Sequence, residues 1–292
     1  MSARSTTITS SGRGTTDGNR YASTRTRICN STEMTVQVRN SRRGGMTYNY
    51  NNAGPRSNSS GRPAAIIPIR DTIPSSRVPA VTYTLITANV LVFFYQLSLG
   101  EGLLPFVERY AVVPARLFGG GFPPARELLT PVTAMFLHGG WLHMLGNMLY
   151  LYIFGDNVED TLGHGEYLAF YLVCGVASFA VQIFFQPASA VPNIGASGAI
   201  AGVLGAYFIR FPRARIVTLL PLLVIFTLVE IPAVVFLGLW FLFQFLSGAA
   251  SLGRASAASG GVAWWAHIGG FAAGAIIMTA IALTGRSRRS PT

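Results

Sequence analysis

The chain contains separate runs of about twenty apolar residues, and these runs limit the folds that are open to it. A helix of that length is needed to cross a hydrocarbon core of roughly 30 Å. Only 11% of the 292 residues are charged, against about 25% in an ordinary soluble domain. The sequence therefore predicts an all-α membrane protein, a bundle of six transmembrane helices near residues 80–99, 142–161, 166–186, 197–211, 229–247 and 265–284.

Two further segments between the predicted spans contain apolar residues. The stretch 216–228 is interrupted by Pro221 and is too short to cross alone, so we place it at the membrane surface or as a bent start of the fifth span. The segment 100–141 is rich in Gly, Pro and aromatic residues. It is expected to form an interfacial hairpin and no separate domain.

The basic residues concentrate at the amino terminus, where 12 of the 22 fall within residues 1–78. This segment is rich in Ser, Thr, Asn and Gly, so we expect a disordered basic tail over 1–78, with Met34 and Met46 as alternative starts. The membrane domain then spans 79–286, and a short tail spans 287–292. A net charge of +11 is also compatible with binding to nucleic acid. However, a basic arm before a membrane span is more typical of an anchor to anionic lipid, and no nucleic-acid partner is expected.

The remaining arginines predict the orientation of the spans. Three lie at Arg210, Arg213 and Arg215 after span four, and three more follow the last span. Because arginine-rich segments stay on the cytoplasmic side, both termini are expected there. We expect an integral protein of a prokaryotic plasma (inner) membrane.

Strongly polar residues occur at the start of three predicted spans. His143 and Asn147 are four residues apart and share a helix face, Ser197 lies within "GASG", and His267 begins the last span. Each alone fits ordinary helix packing or hydrogen bonding between helices. Spans two, four and six run in the same direction, however. The four side chains are therefore expected at one depth on one side of the membrane.

Small residues predict a close approach of spans four and six. Gly198 and Gly202 form a row on span four, and Gly270 and Gly274 form a groove below the histidine on span six. Such packing would let the serine and the histidine touch. A serine activated by an imidazole is a nucleophile for acyl transfer, and nearby Asn, His and backbone N–H donors can stabilise an oxyanion.

Over residues 65–286 the chain resembles the rhomboid intramembrane serine proteases, through "HGGWLHMLGNM", "GASG" and "AHIGGFAAG". The resemblance implies a catalytic dyad of Ser197 and His267, with an oxyanion pair at His143 and Asn147. Glu159 resembles a structural glutamate of the family.

Two positions depart from the family pattern. Glu127 follows Arg126 where members usually carry a Trp-Arg pair, and Ala201 replaces an aromatic residue that packs on the histidine. We expect Trp264, Trp265 or a neighbouring helix to hold the histidine instead. Neither departure removes a reacting group.

The resemblance implies an endopeptidase that cleaves transmembrane protein substrates in or near their spans within the lipid bilayer. No metal and no cofactor are expected, because the His-Glu-x-x-His pattern of metalloproteases is absent from the sequence. The active site is expected to open to the outer face. An inactive rhomboid-like protein that binds transmembrane clients is the alternative. A transporter is disfavoured because no internal repeat is found. The substrate and the oligomeric state stay open.

Overall fold

The computed structural model describes residues 24–29, 33–40, 43–49, 67–117, 125–222, 225–251 and 263–284. The chain divides into two units, Met1–Ser57 and Asn58–Thr292. The fold is mostly helical, with strands in both units. The predicted tail at 287–292 lies outside the described residues.

The first unit contains a three-stranded antiparallel sheet. Its strands are β1 (Thr24–Cys29), β2 (Glu33–Asn40) and β3 (Arg43–Asn49), with β2 in the centre. These strands lie where the sequence analysis predicts a disordered tail. A strand signal is present in β2, "EMTVQVRN", where apolar and polar residues alternate.

In the second unit, helices occupy all six positions predicted as spans. They are α1 (Ala80–Ser98), α5 (Trp141–Leu162), α6 (His164–Phe185), α7 (Ser197–Arg210), α8 (Ala233–Ser251) and α9 (Trp264–Leu283). Four of them, α1, α6, α8 and α9, are long and apolar enough to cross a membrane. Helix α5 carries three acidic residues near its end, and α7 has only 14 residues.

A second antiparallel sheet makes this fold mostly helical, whereas an all-α fold was predicted. Strand β5 (Arg215–Leu222) pairs with β6 (Ile225–Pro232) on one side and with β4 (Ile67–Asp71) on the other. The described residues of the apolar stretch 216–228 therefore belong to two paired strands rather than to a bent start of the fifth span. The β-branched residues of this stretch favour a strand, and the pairing with β4 supplies the partner that a lone strand lacks.

Residues 67–78, which precede the predicted boundary at 78/79, are bound to the rest of the second unit. Besides the pairing of β4, the Ser76 hydroxyl donates to the Asp160 carboxylate at 2.8 Å, and the backbone N–H of Arg215 donates to Thr72 Oγ1 at 3.0 Å. Short strands and polar side-chain contacts leave no apolar run in the sequence, so these contacts were not predicted.

The connection between α1 and α5 contains short helices in place of the expected hairpin. They are α2 (Leu103–Tyr110), α3 (Pro114–Leu117) and α4 (Ala125–Ala134), after a 3-10 turn at Gly100–Gly102. Glu127 on α4 is buried and lies 3.6 Å from Arg116 and 3.4 Å from Arg126. This ion-pair cluster anchors the connection at the place where the sequence departs from the family pattern.

Glu159 on α5 caps the beginning of α1. Its carboxylate accepts hydrogen bonds from the N–H groups of Val81 at 2.9 Å and Thr82 at 2.8 Å, and from the Thr82 hydroxyl at 2.7 Å. His164 Nδ1 lies 2.5 Å from the same carboxylate. The first N–H groups of a helix lack partners within the helix, so this buried side chain joins α1, α5 and α6.

We expect Glu159→Gln to destabilise the protein by about 2–3 kcal/mol, because an amide turns one acceptor oxygen into a donor that faces a backbone N–H. Thermal unfolding in detergent measures the effect as a lower midpoint. Glu101→Gln, at an exposed glutamate, is the matched control. Equal midpoints for the two variants would contradict the capping role.

Candidate active site

The starts of α7 and α9 bring a serine and a histidine into hydrogen-bond contact. Ser197 is the first residue of α7, and His267 lies in the first turn of α9. Nε2 of His267 lies 2.8 Å from Oγ of Ser197. Both residues are partly buried. An imidazole at this distance can accept the hydroxyl proton.

Close packing of α7 against α9 makes this contact possible. A methyl group added to Gly270 would lie 1.9 Å from the carbonyl oxygen of Gly198, and one added to Gly274 would lie 1.9 Å from that of Gly202. The two backbones are therefore in direct contact at both levels, as the glycine groove on the last span predicts.

The glycines on α7 pack against α6 as well as against α9. A methyl group on Gly198 would meet Ser178 Oγ at 2.1 Å, and one on Gly202 would meet Cys174 Cβ at 2.4 Å, both on α6. Toward α9, the methyl group on Gly202 would lie 3.3 Å from the Gly270 carbonyl oxygen, and one on Gly205 would lie 2.1 Å from the Phe271 carbonyl oxygen. Helix α7 is thus held tightly between α6 and α9.

The loop before Ser197 is pinned to the connection between α1 and α5. Val112 and Asn193 exchange backbone hydrogen bonds of 3.1 and 2.8 Å, and the N–H of Gly195 donates to the Ala134 carbonyl at 2.8 Å. Gly195 has a φ of +123°, a conformation that disfavours a side chain. This glycine turns the chain directly before the serine.

The side chains of His143 and Asn147 on α5 both lie close to the turn at Gly195. A methyl group added to Gly195 would lie 2.7 Å from His143 Nε2 and 3.7 Å from Asn147 Nδ2. The N–H of Gly139 lies 3.4 Å from His143 Nδ1, a long hydrogen bond that favours the proton on Nε2. Asn147 Nδ2 is buried and has no hydrogen-bond partner among the described residues. Two donors therefore lie beside the turn at Gly195, two residues before the serine.

His138 precedes α5 and packs its ring edge-on against that of His143, with centroids 5.1 Å apart. Burial lowers the pKa of His138 to about 3, with a smaller contribution from the neighbouring His143, so its imidazole is neutral. The Gln96 amide holds the backbone N–H and carbonyl of His138 at 3.0 and 3.2 Å. Among the described residues, no three His, Cys, Asp or Glu side chains cluster as metal ligands.

Helix α8 adds two residues that the sequence analysis missed. Gln244 Oε1 lies 2.8 Å from His267 Nδ1, and the Trp240 ring lies 5.9 Å from the imidazole centroid. The signal for Gln244 was a lone amide inside an apolar run, the same criterion that selected Asn147.

Aromatic rings pack against His267, although Ala201 on α7 provides no ring of its own. Trp264 packs edge-on at 6.4 Å, as one of the sequence-based alternatives expects, and Trp240 lies at a tilt of 35°. Trp265 instead stacks on Phe185 at 3.7 Å. The aromatic contact therefore comes from α8 and α9 rather than from α7.

Comparison with known proteins agrees with this architecture. The family model described as "Rhomboid domain" matches residues 125–283. The chain is 32% identical over 123 residues to presenilin-associated rhomboid-like protein A, mitochondrial, of Danio rerio, covering 41% of this chain and 31% of that protein. It is 33% identical over 129 residues to rhomboid protease GluP of Bacillus subtilis (44% and 24%). It is also 33% identical over 135 residues to human presenilin-associated rhomboid-like protein, mitochondrial (45% and 33%).

Because the family model matches more than half of the chain, this protein belongs to the rhomboid family. The matched region covers between 24% and 33% of the length of the three relatives. One of them, GluP, is named as a protease.

Proposed function

We propose that this protein is an intramembrane serine endopeptidase that cleaves transmembrane proteins in or near their spans. The observation that carries the proposal is the distance of 2.8 Å between His267 Nε2 and Ser197 Oγ, at the tips of two helices in backbone contact. The family includes a relative named as a protease.

In the proposed reaction, Ser197 Oγ attacks the carbonyl carbon of the scissile peptide bond while His267 Nε2 takes the hydroxyl proton. The imidazolium then returns this proton to the leaving amine, and an acyl-enzyme remains on Ser197. Water, deprotonated by the same imidazole, hydrolyses the ester and regenerates the serine.

The oxyanion of the tetrahedral intermediate would be stabilised by Nε2–H of His143, Nδ2–H of Asn147 and backbone N–H groups at the start of α7. The positive end of the α7 dipole adds to this field. Supporting this role, both side-chain donors converge on the turn at Gly195, and the Asn147 amide donor is unpaired among the described residues.

We expect Asn147→Ala to lower kcat about a hundredfold, because one oxyanion donor is typically worth that much, with a smaller change in KM. Steady-state cleavage of a single-span substrate measures both constants. Asn89→Ala, at another buried asparagine, serves as the control. A larger loss in the control than in Asn147→Ala would argue against an oxyanion role.

We further propose that residues 67–283 form a domain with six transmembrane helices, including α5 and the short α7. The acidic end of α5 is compatible with this because Asp160 and Glu159 are held by Ser76 and by the start of α1. The sheet β4–β6 and the arginines after α7 lie at one end of the helices, and the dyad lies at the other. By the positive-inside rule, the dyad would open to the outer face, with both termini cytoplasmic.

The type of membrane stays a prediction. Two of the three relatives are named as mitochondrial and one comes from a bacterium, so these relatives give no support for a prokaryotic plasma membrane in particular. The basic arginines of 1–78 are proposed to lie at an anionic lipid surface.

Purified protein in detergent, incubated with a labelled single-span substrate and separately with a fluorophosphonate probe, tests the proposed function. We expect cleavage in or near the span, and a probe adduct that mass spectrometry locates at Ser197. Binding of the substrate with neither cleavage nor adduct would instead favour an inactive rhomboid-like protein that binds transmembrane clients.

A further inference from the structure

A glutamine on α8 completes a chain of polar contacts through the imidazole of His267. Gln244 is buried, with 5% of its surface exposed, and lies within the apolar run of residues 233–246 on α8. Its Oε1 lies 2.8 Å from Nδ1 of His267, while Nε2 of the same ring lies 2.8 Å from Ser197 Oγ. Both ring nitrogens are therefore engaged, one by each neighbouring helix.

The position of the imidazole proton decides whether the ring can act as a base. A neutral imidazole carries one N–H, and its other nitrogen is an acceptor. With the proton on Nδ1, the ring donates to the Gln244 carbonyl and turns a lone pair toward Ser197. With the proton on Nε2, a lone pair would face the carbonyl oxygen, and the ring could not accept the serine proton.

We propose that Gln244 is a positioning residue, whose side-chain carbonyl accepts the Nδ1–H of His267 and so holds the tautomer and ring rotation that general-base catalysis by Nε2 requires. This inference rests on the proposed protease function. It assigns to an uncharged amide the orienting task that a carboxylate performs in a catalytic triad.

The surroundings of His267 favour this assignment. The rings of Trp240 and Trp264 limit the tilt of the imidazole, but an indole offers a donor and no acceptor nitrogen. An indole therefore cannot accept the Nδ1–H of His267, which the Gln244 carbonyl can. Burying an isolated charged carboxylate inside the membrane costs free energy. An amide avoids this cost because its acceptor oxygen carries no charge.

Substitutions at Gln244 separate this role from simple packing. Gln244→Met removes the acceptor at nearly constant length, and Gln244→Glu retains an acceptor oxygen in either protonation state. Gln182→Met is the matched control, because Gln182 is a buried glutamine that accepts from the Ala266 N–H at 3.2 Å and does not touch the imidazole. Thermal midpoints verify that each variant is folded.

We expect Gln244→Met to lower kcat and the rate of fluorophosphonate labelling about ten- to a hundredfold, with KM changed less than about twofold, because one hydrogen bond to the base is lost. Gln244→Glu should recover most of this loss, and Gln182→Met should retain kcat. The inference is overturned if Gln244→Met keeps the wild-type kcat, or if Gln244→Glu and Gln182→Met lose as much as it does.

Nitrogen-15 NMR of the imidazoles tests the tautomer independently of activity. The chain has four histidines, and His267→Ala identifies the resonance of interest. We expect the Nδ1–H tautomer in the wild type and a shift toward Nε2–H in Gln244→Met. A wild-type ring protonated on Nε2 alone would overturn the inference. Failure of the wild type to cleave or to be labelled would count against the proposed function and leave this spectroscopic result standing.

Discussion

Ser197→Ala and His267→Ala are each expected to lower kcat for cleavage of a single-span substrate about 10⁴-fold or more, the scale seen when one member of a catalytic unit is removed. Without Oγ no acyl-enzyme can form. Without the imidazole the hydroxyl keeps its proton, and the leaving amine receives none. Because the two groups act as a unit, the double variant should be no less active than either single variant.

Cleavage in detergent, followed with a labelled substrate at saturating concentration, measures these losses. Ser178→Ala is the matched control, since Ser178 is a buried serine on α6 beside the same helix α7, and its hydroxyl donates to the Gly175 carbonyl. It should retain most of the activity. Undiminished cleavage by either dyad variant would exclude the proposed mechanism.

The contact between Ser197 and His267 could be predicted because several local signals agree. The length of each apolar run predicts a helix, and the order of the runs fixes the direction in which each helix points. The glycines at Gly270 and Gly274 indicate a close neighbour. These signals depend on spacing along the chain, which the sequence records directly.

The contact of Gln244 with His267 and the contact of Gly202 with α6 could not be predicted in the same way. Whether Gln244 reaches His267 depends on how α8 is rotated and how far it slides along α9, and no spacing within α8 encodes this. Gly202 is expected to approach span six, and it does contact Gly270 of α9, but only the packed structure shows that Cys174 of α6 lies still closer to it.

The pairing of β5 with β6 also could not be predicted from the local sequence. A short apolar run interrupted by Pro221 fits both a bent helix and a strand when it is read alone. Its pairing with β4 decides between them, and β4 lies far away in sequence within a segment that was predicted to be disordered. Neither the sequence of β4 nor that of the stretch 216–228 predicts a sheet alone, because each strand is stabilised by its pairing with the other.

The contact of α7 with α9 yields the second large expected effect. Gly274→Ala should destabilise the protein by about 3 kcal/mol, the upper end for overpacking of a core, and should reduce cleavage at least about a hundredfold because displaced helices misalign the reacting groups. The added methyl group would lie 1.9 Å from the Gly202 carbonyl oxygen and 2.5 Å from its carbon. These are backbone atoms that no side-chain rotation can move away.

Gly238→Ala on α8 is the matched control, because a methyl group there would meet only Phe208 Cε2 at 3.9 Å, an ordinary contact. This variant should be as stable as the wild type or up to about 1 kcal/mol more stable, since alanine favours a helix interior over glycine. Thermal unfolding and cleavage are measured for both variants. If α9 only needed to be near α7 rather than in backbone contact with it, both variants would behave alike. The expected divergence between them therefore tests whether this contact sets the distance between Ser197 and His267.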